Sequence, residues 1–253
     1  MTYQGRLEAR GMISLDDFWP VRESDADTIK VTLGELSFAK KAGGQQKRTR
    51  AFEGAGMWHR TAKGREYFEP VVKTMKMGPH AGETRFTVRL QGVDAPELHY
   101  PGIVRNGSYK NRQHRAEGAT LALRSLLSKA GQAQIPCVFY SLVDEPGQVV
   151  DKYGRFVGYV EVEVKGTAIN LNHWLVEQGW AFPTFYDSCN AQEILDLLAA
   201  SKKARKASAG IWQDVANEVR SYHGAPYRDP DKARWCCPSC SGASAPCSTT
   251  RAS

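Results

Sequence analysis

The chain has 253 residues, with 34 Lys/Arg against 27 Asp/Glu, a net charge of +7 and a pI of about 9.1. That length buries one sizeable core plus appendages, and the positive balance favours polyanionic partners, nucleic acid above all. No apolar run approaches the roughly 18 residues of a membrane-spanning helix, and Met1-Thr2-Tyr3-Gln4-Gly5-Arg6 lacks the apolar stretch of a secretory signal, so a cytoplasmic protein without a membrane association is expected.

In chain order, residues 1 to about 22 read as an N-terminal extension. Ile29, Val31 and Leu33 share parity with Asp27, which predicts a strand over 27–33. Next comes a basic stretch: between Phe38 and Met77 ten Lys/Arg face three Asp/Glu, leaving 24 of each sign elsewhere. Lys40, Lys41, Lys47, Arg48, Arg50, Arg60, Lys63 and Arg65 are interleaved there with Phe52, Trp58, Tyr67 and Phe68. That composition suits a single-strand binding surface, where bases stack and phosphates pair. It suits equally a solvated flap whose aromatics pack on the body of the protein.

Phe86, Val88 and Leu90 alternate with Thr87, Arg89 and Gln91, a half-buried strand with Arg89 on its polar face. A loop over 99–109 leads to a helix over 111–130, with Ala116, Ala119, Leu123, Leu126 and Leu127 at helical spacing and Gly131 as the stop. Strands follow over 134–143 and 155–164. Asn172 reads as the N-cap of a short helix ending at Gly179. A third helix starts near Asn190, with Glu193 completing a capping box, an apolar stripe of Ile194, Leu197, Leu198 and Ala204, and a stop at Gly210. Periodicity alone gives an α+β domain. Residues 214–253 form a Ser/Ala/Cys-rich tail expected to be disordered. Its Cys236, Cys237, Cys240 and Cys247 include one C-x-x-C pair but no second one, so a zinc site is weaker there than a low-complexity reading.

The chemistry concentrates in Arg89-Leu90-Gln91-Gly92-Val93-Asp94-Ala95-Pro96-Glu97. Gly92 relaxes the backbone as the strand ends, and Pro96 fixes its own φ while biasing Ala95 toward an extended conformation. Asp94 and Glu97 are thereby held on a stiff exit turn. Asp27 lies at the rim of a buried row, where a carboxylate requires a cation or a donor network. With Asp94 available, a divalent metal is the expected answer.

Five segments resemble the staphylococcal nuclease family in order. They are Ser24-Asp25-Ala26-Asp27-Thr28-Ile29, the Arg89–Glu97 stretch, Asp151-Lys152-Tyr153-Gly154-Arg155, the helix from Leu171 to Ala181, and Gly210-Ile211-Trp212. The resemblance implies a five-stranded OB-type β-barrel with three helices over residues 23–213, interrupted by a basic insertion at about 34–82. It also implies a calcium-dependent nuclease that hydrolyses phosphodiester bonds in DNA, with RNA as a second substrate. Asp27, Asp94 and the backbone carbonyl of Ala95 would ligate Ca²⁺ (the family often has Thr in place of Ala95). Glu97 would be the general base. Arg89 and Arg155 would clamp phosphate, and Lys152, Tyr153 and Tyr186 would bind the nucleotide. A monomer with nucleic acid as its partner is expected. The alternative is a non-catalytic nucleic-acid-binding OB module, against which the presence of all five charged side chains speaks.

Overall fold

In the computed structural model, residues 5–40, 47–48, 56–60, 66–70, 72–101, 110–111, 113–185 and 189–213 are described. Tyr186, the four tail cysteines and, from the basic aromatic stretch, Lys41, Arg50, Phe52, Lys63 and Arg65 lie outside them.

Among the described residues, five strands close on one another: β1 (Gly5–Ser14), β2 (Thr28–Lys40), β3 (Thr84–Leu90), β4 (Gln134–Val143) and β5 (Phe156–Val164). β1 lies antiparallel between β2 and β4, β2 pairs with β3, and β4 pairs with β5. A parallel β3–β5 pairing, with Val157 opposite Arg89, completes the ring. This is the OB-type barrel, in an α+β arrangement with three helices. Its interior is built on Phe86, Phe139 and Phe156, whose ring centroids lie 4.8–5.9 Å apart. Leu7, Ile13, Ile29, Val31, Val88 and Leu90 complete it, all fully buried.

The N-terminal segment is therefore not an extension: Gly5–Ser14 is the barrel strand that joins β2 to β4. Its alternation is muted because small residues, Ala9 and Gly11, hold two of the inward positions. Gly11 has a reason to be small, since a Cβ there would lie 2.2 Å from the carbonyl oxygen of Thr32. β2 also runs on to Lys40, past the expected start of the insertion. The pairing register shifts between Arg10 and Gly11, and Gly34 is the residue skipped, as in a β-bulge. A strand Lys47–Arg48 adds to β2, and Gly56–Arg60 pairs with Glu66–Pro70 as a hairpin.

α1 (Ala116–Ser128) starts at the first residue of its apolar pattern, five residues after the expected boundary at 111, and follows Arg115 at φ 66°. α2 (Leu171–Glu177) is capped by Asn170, whose side chain accepts from His173 N at 3.0 Å. Asn172 is not the cap but a buried brace. It donates to the carbonyls of Gln91 and Gly158 at 2.8 and 3.0 Å and accepts from Val160 N at 3.2 Å. α3 (Ala191–Lys206) has the Asn190/Glu193 capping box, ends before Gly210, and buries Leu197, Ala200, Ser201 and Ala204, leaving Leu198 exposed.

Candidate active site

Three segments meet where β3 leaves the barrel. The first is the turn entering β2, which carries Asp25 and Asp27 and is fastened to α1 by the Thr120 hydroxyl donating to Ser24 O at 3.1 Å. The second is the exit turn itself. Gly92 takes φ 76° there, a left-handed conformation that glycine adopts freely, and Asp94 pairs with Phe182 behind it. The third is the segment entering α1, which contains Gln113.

Side chains accept the N–H groups of the exit turn beyond Asp94. Ala95 N donates to Asp27 Oδ2 at 2.7 Å, Glu97 N to Gln113 Oε1 at 2.8 Å, and Leu98 N to Asp25 Oδ1 at 2.7 Å. Pro96 has no N–H to donate. Every available donor from 95 to 98 is thus accepted by a residue from another part of the chain.

Arg89 reaches across this turn. Its guanidinium pairs with Asp27 on one arm and with Asp94 Oδ1 at 2.8 Å on the other. Asp27 and Asp94 are buried, at 1% and 6% exposure. Burial works against the Arg89 charge, but Asp27 and then Asp94 outweigh it and raise its pKa. The carboxylates show the opposite imbalance. Burial, followed by repulsion from Asp25, Asp27 and Asp94, pushes Glu97 up to about 7, with Arg89 only partly opposing. Asp94 is raised by burial and by Asp27 despite Arg89, and Asp25 is raised by burial despite its bond from Leu98 N. Four carboxylates crowd around one guanidinium.

That excess of negative charge, on oxygen donors alone, fits a hard divalent cation such as Ca²⁺ rather than a thiophilic or imidazole-bound metal. Among the described residues no group of three or more Asp, Glu, His or Cys side chains is placed to hold a metal ion. Asp27, Asp94 and the Ala95 carbonyl are the oxygens that could hold such a cation.

The structure brings together Asp27, Arg89, Asp94, Ala95 and Glu97. It does not bond Arg155 to them among the described residues. Arg155 sits one residue before β5 and gives its guanidinium to Asp151, with Nε and Nη2 both 2.8 Å from Oδ2. The same Asp151 accepts from Tyr153 N at 2.8 Å and Arg155 N at 2.9 Å, while Gly154 takes φ 75°. Tyr153 is 65% exposed, with Lys152 and Arg155 beside its ring at 5.0 and 5.2 Å. The residues that sequence reasoning missed are Asp25 and Gln113. Asp25 was visible as the alternate acidic residue before Asp27, whereas Gln113 belongs to no periodic pattern.

A barrel closed by a parallel β3–β5 pair, with a carboxylate-rich site where β3 ends, defines the class of protein. The staphylococcal nuclease homologue family matches residues 87–214, just over half of the chain, and the chain belongs to that family of nucleases and nucleic-acid-binding proteins. No curated protein gives a match. The matched stretch holds Arg89, Asp94, Glu97 and Arg155 but not Asp27; the fold supplies Asp27 through β2.

Proposed function

We propose that this protein is a calcium-dependent nuclease that hydrolyses phosphodiester bonds in DNA, with RNA as a second substrate, and prefers flexible or single-stranded regions. The observation that carries the reading is the convergence of Asp25, Asp27, Asp94 and Glu97 on the single guanidinium of Arg89. A bound Ca²⁺ supplies Lewis-acid polarisation of a phosphoryl oxygen.

The chain's own groups do the rest. Glu97 takes a proton from the attacking water onto its carboxylate; with a pKa of about 7 it is matched to that task near neutral pH. Arg89 donates to oxygens on which charge gathers in the in-line transition state. Its two arms engage Asp27 and Asp94, the oxygens that ligation also needs. Release of Arg89 toward phosphate and occupation of the acidic site are thus coupled. Arg155 joins it as a second clamp when it exchanges Asp151 for phosphate. Lys152 and the exposed Tyr153, with Tyr186, contact the terminal phosphate and base of the bound nucleotide.

The test is incubation of the purified protein with single-stranded DNA, once with calcium and once with excess chelator. Cleavage with calcium and its loss in chelator support the reading. Unchanged cleavage in chelator removes the metal from it, and binding without any cleavage supports the non-catalytic alternative.

A further inference from the structure

Deepening that reading, and resting on it, we propose that Gln113 is the positioning residue of Glu97, setting where the catalytic carboxylate stands without touching the substrate. Gln113 meets Glu97 at two points. Its side-chain Oε1 accepts from Glu97 N at 2.8 Å, and its own backbone N donates to Glu97 O at 2.9 Å. The two residues are sixteen positions apart in the chain, and the clasp holds them together at both bonds. Of the three side chains that pin the exit turn, only Gln113 is uncharged. The bonds from Ala95 N and Leu98 N go to carboxylates whose charge belongs to the acidic cluster. The Gln113 amide therefore fixes the Glu97 backbone without adding to the repulsion that already acts on that carboxylate.

A second observation points the same way. Gln113 Nε2 is buried and finds no hydrogen-bond partner among the described residues. A buried amide with an idle donor is unfavourable. Folding alone does not favour such a group, whereas holding Glu97 N–H does require its acceptor. The carboxylate hangs from a backbone gripped at both its N–H and its C=O, as a catalytic group needs when its placement must hold within a fraction of an ångström.

The experiment is steady-state cleavage of single-stranded DNA in calcium by the wild type, Gln113→Met and Gln113→Asn, each also combined with Glu97→Gln. Thermal midpoints and DNA affinity are measured alongside. Gln113→Met removes the acceptor at similar shape. Gln113→Asn keeps an amide but withdraws it by one methylene, so the test stands even if the first variant does not fold.

The expected result is a kcat lowered roughly 10- to 100-fold, with KM changed less than about threefold and no further loss in the Glu97→Gln background, because the effect runs through Glu97. An unchanged kcat in a folded variant overturns the proposal. So does a rise in KM alone, or an equal further loss on top of Glu97→Gln. A wild type that cleaves no nucleic acid, or a Glu97→Gln variant as active as the wild type, overturns the nuclease reading itself. Cleavage that needs Glu97 but ignores Gln113 sinks only this inference.

Discussion

β3 carries two arginines four residues apart, the buried Arg85 and the partly buried Arg89, and their surroundings differ in one respect. Arg85 pairs with Asp17, which also accepts from Arg22 at 3.1 Å and lies 3.6 Å from His80. Glu83, on the same strand's approach, is taken by Thr32 at 2.7 Å and His80 at 3.0 Å. There, two carboxylates meet two arginines and a histidine. Arg89 meets Asp27 and Asp94 with Asp25 and Glu97 close by. The first cluster ties the turn after β1 to β3. Among the described residues the second is short of positive charge, and that shortage is what makes it a candidate for chemistry.

The comparison is broken most severely at Glu97. Glu97→Gln should lower turnover by about two to four powers of ten, the usual worth of general-base catalysis, with DNA affinity within a few-fold of the wild type. Turnover and equilibrium binding measured on the same preparation check this. Next in size are the arginines. Arg85→Met leaves Asp17 buried beside fewer cations and should destabilise by about 3–5 kcal/mol, whatever the calcium level. Arg89→Met should be destabilised comparably in chelator but recover in calcium, because Asp27 and Asp94 regain a cation. Denaturant unfolding with and without calcium separates the two, and equal recovery of both would erase the distinction.

A smaller effect follows from proton binding. Glu97 stands at about 7 in the folded chain against 4.5 ordinarily, so folding tightens its hold on a proton. Its favourable contribution is complete below about 4.5 and is lost as pH rises through about 7; Asp25 and Asp94, also raised, act in the same direction. In chelator the thermal midpoint should therefore fall over that window, and Glu97→Gln should flatten the fall. A midpoint rising from pH 5 to 7 that Glu97→Gln leaves unaltered would contradict the sign. Smallest is Asp151→Asn, which weakens the grip on Arg155. The expected cost is about 1–2 kcal/mol in stability, read by denaturant unfolding, since a charge-assisted bond is lost while neutral ones survive.

Residues that signal by type or by strict period were legible in the sequence. The Phe86/Val88/Leu90 alternation, the strand at 134–143 and the Asn190 capping box appear as read. Arg89 pairs with Asp27 and Asp94, two segments that the family resemblance, and not local spacing, placed together. Other features depend on partners far away in the chain. β1 hides behind Ala9 and Gly11, and Gly11 is small because β2 passes close by. Gly34 looks like the start of a loop but is the skipped residue of a paired strand. Asn172 looks like a cap, but it braces β3 to β5 from inside the fold. Leu198 follows the helical period into solvent because Ala200 and Ser201 take the buried side of α3. Gln113 matters only through Glu97, sixteen positions earlier, and no local pattern reports such a bond.

The central claim is that the Arg89 cluster, and not the Arg85 cluster, is one cation short. Calcium titration by calorimetry tests it most directly, on the wild type, Asp94→Asn and Arg85→Met. One saturable site in the wild type, lost in Asp94→Asn and kept in folded Arg85→Met, is the predicted result. Undiminished calcium binding by Asp94→Asn, or none by the wild type, would contradict it.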